Sequence, residues 1–176
     1  MSILDEIRPK KKERVIDLVK QGGIDVSDWS NFKGGEKGAA ANRLKNSSRA
    51  FVKGDKIILN LWHHQMGQDA DGKTVCAKIN YKKVADLEPG DRRRNYHIKR
   101  ANEVVEAIQS VRCKKLPVRV IVLLAPVGGV RYLENGEAES SKVAKRMLDP
   151  NGWTITQYDD VSGECVLTRA TIPWSD

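Results

Sequence analysis

The run VRVIVLLA at 118–125, set behind Pro117, constrains the fold of this 176-residue chain more than any other stretch. It is far too short to cross a bilayer, and it carries one charge. It therefore reads as a central strand. Lys56–Trp62 is a second strand, in which Ile57, Ile58, Leu59 and Leu61 leave little room for solvent. Thr74–Tyr81 alternates Val75, Ala77, Ile79 and Tyr81 on one face, as a half-buried strand does. The turn GQDADG at 67–72 precedes it, so Lys56–Trp62 and Thr74–Tyr81 are expected to pair as a hairpin with a long loop.

Tyr96–Val111 repeats Ala101, Val104, Val105, Ile108 and Val111 at helical spacing. The pattern allows a βαβ crossover through this helix into the strand at Val118. Pro9 opens a further helical pattern with Val15, Ile16, Leu18 and Val19 on its apolar side, and Gly22–Gly23 stop it. Glu36–Asn42, after Gly34–Gly35, suits a short helix whose first N–H groups point at solvent or a phosphate. Ser140–Leu148, with Val143, Ala144, Met147 and Leu148, reads as another helix, ended by Pro150–Gly152. Trp153–Tyr158 and Cys165–Thr171 are strands joined by a turn at 159–164. These elements predict an α+β fold with a mixed or antiparallel sheet and three or four helices. One domain spans 1–176, with the N-terminal helix (1–22) at its periphery.

Lys and Arg number 31 against 23 Asp and Glu, a formal charge of +8. That excess favours a polyanionic partner through long-range attraction and counterion release. Cys76, Cys113 and Cys165 form no C-x-x-C pair, and Cys76 and Cys165 fall in apolar strand-like runs. Reduced, buried thiols and a cytoplasmic location are expected. The N-terminus lacks the apolar stretch of a signal peptide, so no membrane partner is expected.

Catalytic signatures are sparse. His63, His64 and His97 supply no helical ligand spacing, so an HNH-type finger is absent, as are a deaminase H-x-E…P-C-x-x-C and a P-loop. Adjacent His63 and His64 would point to opposite faces of a strand. Asp55, Asp69 and Asp71, near the Lys56–Trp62 strand, leave a metal-dependent nuclease as the alternative. No cofactor is called for.

The segment Ile24–Arg43, IDVSDWSNFKGGEKGAAANR, offers the best binding features. It places Trp29 and Phe32 beside Lys33, Lys37 and Arg43, and Arg and Lys continue at Lys45 and Arg49. Aromatic faces and cations on flexible backbone suit stacking and phosphate contact, while Trp29 and Phe32 could equally staple the loop to the body. Arg92, Arg93 and Arg94, just before the long helix, suit bidentate phosphate or guanine contacts. Tyr96 is either a stacking or a core residue.

VSDWSNFKGGEKGAAAN, with a following apolar strand ending NLWH and the later pieces LPVRVIVLLA, SSKVAKRMLDPNGWTITQYD and GECVLTRA, resembles the N-terminal domains of bacterial modification-dependent HNH endonucleases, described as 5-methylcytosine-specific restriction proteins. The resemblance implies a module that recognises modified DNA, here without the cutting domain. After Asn42 the chain departs from the family's aromatic-rich stretch and reads RLKNSSRAF, which shifts the expectation toward backbone contacts. The reading is a protein that binds duplex DNA, methylated or otherwise modified, as a homo-oligomer. Lys and Arg would hold the backbone, and Trp29 or Phe32 would touch a base or its methyl. An RNA-binding or protein-interaction module is a further alternative.

Overall fold

The two apolar runs form the centre of the molecule because each is buried on both faces. A computed structural model describes residues 2–31, 34–132, 138–139 and 142–175. Its helices are α1 (Ile3–Glu6), α2 (Val15–Gln21), α3 (Gly35–Ala40), α4 (Arg43–Asn46), α5 (Tyr81–Ala85) and α6 (Arg92–Lys114). Its strands are β1 (Ala50–Lys53), β2 (Lys56–Trp62), β3 (Met66–Gln68), β4 (Val75–Ile79), β5 (Arg119–Leu124), β6 (Arg131–Tyr132), β7 (Ala138–Glu139), β8 (Lys145–Leu148), β9 (Asn151–Tyr158) and β10 (Cys165–Pro173).

The main sheet has the order β1-β2-β5-β8 and the second the order β3-β4-β10-β9, while β6 and β7 form a small ribbon. β2 and β5 are parallel, joined by the crossover through α6, and the other pairs are antiparallel. The fold is α+β with mixed and antiparallel sheets. Along β2, Ile57, Leu59 and Leu61 enter one apolar cluster and Ile58 and Trp62 the other. Val120 and Val122 against Ile121 and Leu123 repeat this alternation on β5. The first cluster holds the inner face of α6 and the second sheet. The other holds α2, Trp29 and Phe51. Each fully covered Leu, Ile or Val contributes about 1.5–3 kcal/mol relative to exposure.

Five expectations are corrected. β4 pairs with β3, not β2: the 3-10 turn His63–Gln65 ends β2 and carries the chain into the second sheet. His63 and His64 therefore lie in that turn and not in a strand, and the His63 ring hydrogen-bonds to the Leu4 carbonyl oxygen at 3.0 Å. The apolar residues of Ser140–Leu148 that suggest a helix instead include β8, antiparallel to β5 in the register Leu124↔Lys145 to Ile121↔Leu148. Pairing with the open edge of β5 outweighs the local helical spacing, and Met147 and Leu148 then face opposite clusters. The helix expected from Pro9 begins only at Val15. Finally, it is not peripheral, because Val15, Ile16, Leu18 and Val19 are all buried.

One buried polar cluster ties the sheets together. The Asp149 carboxylate, wholly buried after β8, accepts from Arg169 Nε and Nη2 on β10 at 2.8 and 2.9 Å, from Trp153 Nε1 at 2.9 Å and from the Asn151 backbone N–H at 3.0 Å. Both oxygens are satisfied, which makes so deep a charge tolerable.

Candidate nucleic-acid interface

The parallel β2–β5 pair sets the geometry of the site. The crossover runs α6 back along the sheet, so the helix start lies near the strand ends, where ligands of open α/β sheets gather. Asp91 caps α6, accepting from the Arg94 backbone N–H at 2.8 Å. Its first turn then carries Arg92, Arg93 and Arg94 and no acidic residue. Three cations at the positive end of a 23-residue helix are electrostatically unfavourable for the helix, and they concentrate positive potential there.

Beside that helix start opens a groove of about 440 Å³. Lys12, Arg49, Lys142 and Arg146 line it together with Tyr96, Asn46 and Ser47, and no carboxylate does among the described residues. Lys12 and Arg49 arrive on separate segments, and Lys142 and Arg146 on the one that forms β8. Arg146 is the second residue of β8, and its backbone N–H donates to Lys11 O at 2.9 Å, which lays the 11–13 segment along the strand and brings Lys12 to the groove. Arg146 Nη1 donates to Glu13 O at 2.9 Å, while its Nε is buried without a hydrogen-bond partner. Burial pushes the Arg146 guanidinium below its ordinary pKa. Arg49 lies 5.0 Å over the ring of Trp62.

Arg100, buried on α6, fixes the opposite wall. Its guanidinium donates to Ser47 Oγ at 2.8 Å and Ser48 Oγ at 3.3 Å and pairs with Glu103. Asn60 Nδ2 holds the Ser48 carbonyl at 2.7 Å, and Glu103 accepts from the Arg49 backbone N–H at 3.2 Å. The same Arg100 lies 5.3 Å from the Tyr96 ring, which is 41% exposed at the rim.

The residues singled out in the sequence are dispersed around this groove. Arg49 lines it. Arg43 on α4 and Arg92 and Arg93 on α6 are exposed on elements that border it, and Arg94 is half-buried. Lys37 is exposed on α3. Phe32 and Lys33 lie outside the described residues. Trp29 corrects an expectation: it is 3% exposed, its ring 5.8 Å from Phe51, so it staples the loop to the second core and offers no stacking face. Lys45 Nζ lies 5.5 Å over that ring and lines a separate cavity of about 260 Å³ with Asp28 and Phe51. Trp29 enters the core through the 3-10 turn Ser27–Asn31, which Asp25 anchors. Its carboxylate accepts from the Ser27 backbone N–H at 3.0 Å and from Lys53 at 3.0 Å, and these bonds hold it down to a pKa of about 2.

Lys12, Lys142 and Arg146 are not among the sequence candidates. Lys142 and Arg146 are hidden in the expected helix, and Lys12 in an ordinary basic run. Of the carboxylates of the nuclease alternative, Asp69 and Asp71 share the turn before β4, where Asp69 accepts from the Cys76 thiol at 3.6 Å, and Asp55 is engaged elsewhere. Asp55 pairs with Lys114 at 2.8 Å, and Asp71 accepts from the Lys73 backbone N–H at 2.8 Å. Among the described residues no three His, Cys, Asp or Glu side chains come together as a metal set, and no helix is long and apolar enough to cross a membrane. Comparison with protein-family models, curated proteins and solved structures gives no match.

Proposed function

We propose that this protein binds duplex DNA along the face that carries the Arg49–Arg146 groove. The observation that carries this reading is the convergence of Lys12, Arg49, and Lys142 with Arg146 from three separate segments, with no carboxylate among the described lining residues. A fold brings like charges together at a cost, and a polyanion relieves it. Exposed Arg43, Arg92 and Arg93 extend the positive surface along α4 and the start of α6. These side chains hold phosphates and set register. Tyr96 is the aromatic placed to meet a base. With Trp29 in the core, base contact passes from the loop to the helix.

The resemblance to modification-reading domains makes 5-methylcytosine the feature to test on that DNA. Contact with one methyl group is worth about 0.8 kcal/mol, or about fourfold in affinity. A gel shift at low salt with matched methylated and unmethylated duplexes tests both levels, with single-stranded RNA as competitor. Binding of both duplexes, tighter for the methylated one and resistant to RNA, is expected. Equal affinities remove the methyl preference, and no shift at low salt removes DNA binding.

A further inference from the structure

We infer that the groove is a phosphomonoester site, which takes the terminal phosphate and last nucleotide of a DNA strand. This rests on the DNA-binding reading and deepens it. Three observations lead there. First, the cavity of about 440 Å³ is of the size that holds one small ligand and not a helix. A duplex can only lie across its mouth, whereas one nucleotide can enter.

Second, the charged residues of the described lining are all of one sign. The described lining contributes four cations and no carboxylate. Arg146 is the most telling of these: half-buried, its Nε without a partner, its Nη1 directed to a neutral carbonyl. A desolvated guanidinium with no carboxylate beside it is costly unless a ligand brings the counter-charge. An internal phosphodiester brings one negative charge, while a terminal phosphomonoester brings about two at neutral pH and one more acceptor oxygen. The cationic lining matches the second better.

Third, the phosphate-binding and base-binding parts are in register. Tyr96 lines the same cavity as the cations, its ring exposed and backed by Arg100. A nucleotide with its phosphate between Arg146, Lys12, Lys142 and Arg49 can lay its base on that ring. Asn46 and Ser47, also in the lining, supply neutral hydrogen-bonding groups for the sugar.

The test is a competition experiment on the full chain. A labelled duplex is displaced by unlabelled duplexes of one sequence that end in a 5′-phosphate, a 3′-phosphate or hydroxyls, by a dumbbell duplex without ends, and by dCMP. A phosphorylated end is expected to compete about tenfold better than hydroxyl ends or the dumbbell, as one or two charge-assisted hydrogen bonds would give. Arg146→Gln, and separately Lys142→Gln at an exposed position that leaves folding intact, should reduce that advantage to under about twofold. Equal competition by all duplexes overturns the terminal-phosphate site and leaves DNA binding standing. If dCMP competes as well as the phosphorylated duplex, the phosphomonoester site stands and the DNA reading falls. If no duplex and no mononucleotide binds, both fall.

Discussion

Two arginines near one another in the chain have opposite surroundings. Arg169 meets the Asp149 carboxylate through two hydrogen bonds, and that carboxylate is completed by Trp153 and Asn151. Arg146, on the strand that leads to Asp149, has a side-chain bond to a backbone carbonyl and a buried Nε with no partner. The first site is closed: every charge has its complement inside the chain, and its role is to join the two sheets. The second is open: among the described residues no carboxylate meets the guanidinium. Burial of charge alone therefore does not mark a functional site. The absence of a counter-ion among the described residues does.

The sharpest way to break this contrast is to remove the partner from the closed site. Asp149→Ala leaves Arg169 buried and uncompensated, and a stability loss of about 3–5 kcal/mol in urea unfolding is expected. A loss under about 1 kcal/mol would mean that the cluster does not hold the sheets together. Trp29→Ala should also act on stability, by about 3–5 kcal/mol, because the ring fills the second core. A stable Trp29→Ala protein with impaired DNA binding would return this residue to the ligand-contact role it has in the sequence reading.

Arg146→Gln should show the reverse signature. Unfolding should move by less than about 1 kcal/mol, since among the described residues the side chain has no charge partner, while duplex affinity falls about tenfold. Equal stability losses in Arg146→Gln and Asp149→Ala would erase the distinction between the two sites. The smallest effect lies in the turn that seats Trp29. Asp25, held at about 2 against an ordinary 3.8, favours the folded state at pH values above its ordinary pKa. That contribution fades as the pH falls from about 4 to 2. An NMR titration of the Asp25 carboxyl should find its midpoint near 2. A midpoint at the ordinary value would mean that the Ser27 and Lys53 bonds do not persist in solution.

Much of the fold is legible in the sequence because it rests on local period. The two-sided apolar runs at Ile57 and Val120, the α6 face and the β9–β10 hairpin each declare themselves within a short stretch of chain. β8 does not, since Val143, Ala144, Met147 and Leu148 fit a helix until the open edge of β5 is known. The change of sheet at His63–Gln65 is a non-local choice, and β4 finds β3 and β10 where sequence order suggests β2. Trp29 looks exposed because its neighbours are polar, yet Ser27, Asp28 and Ser30 belong to a 3-10 turn that points the indole inward.

The groove is the least legible part. Arg49 and Tyr96 stand out in the sequence, but for separate local reasons. Lys12, Lys142 and Arg146 reach them only through the β5–β8 pairing and the strap at 11–13. No spacing within a single segment encodes such a convergence.

The salt dependence of duplex binding tests the central claim most directly. Affinity for one unmodified duplex would be measured by fluorescence anisotropy across a series of salt concentrations, for the wild type and for a protein carrying Lys12→Gln, Lys142→Gln and Arg146→Gln. The wild type should give a linear fall of log affinity with log salt. The triple variant should have a shallower slope, by about 0.9 for each phosphate that is no longer neutralised. Wild-type binding that is absent at low salt, or a triple variant with an unchanged slope, would contradict the assignment of this groove to DNA.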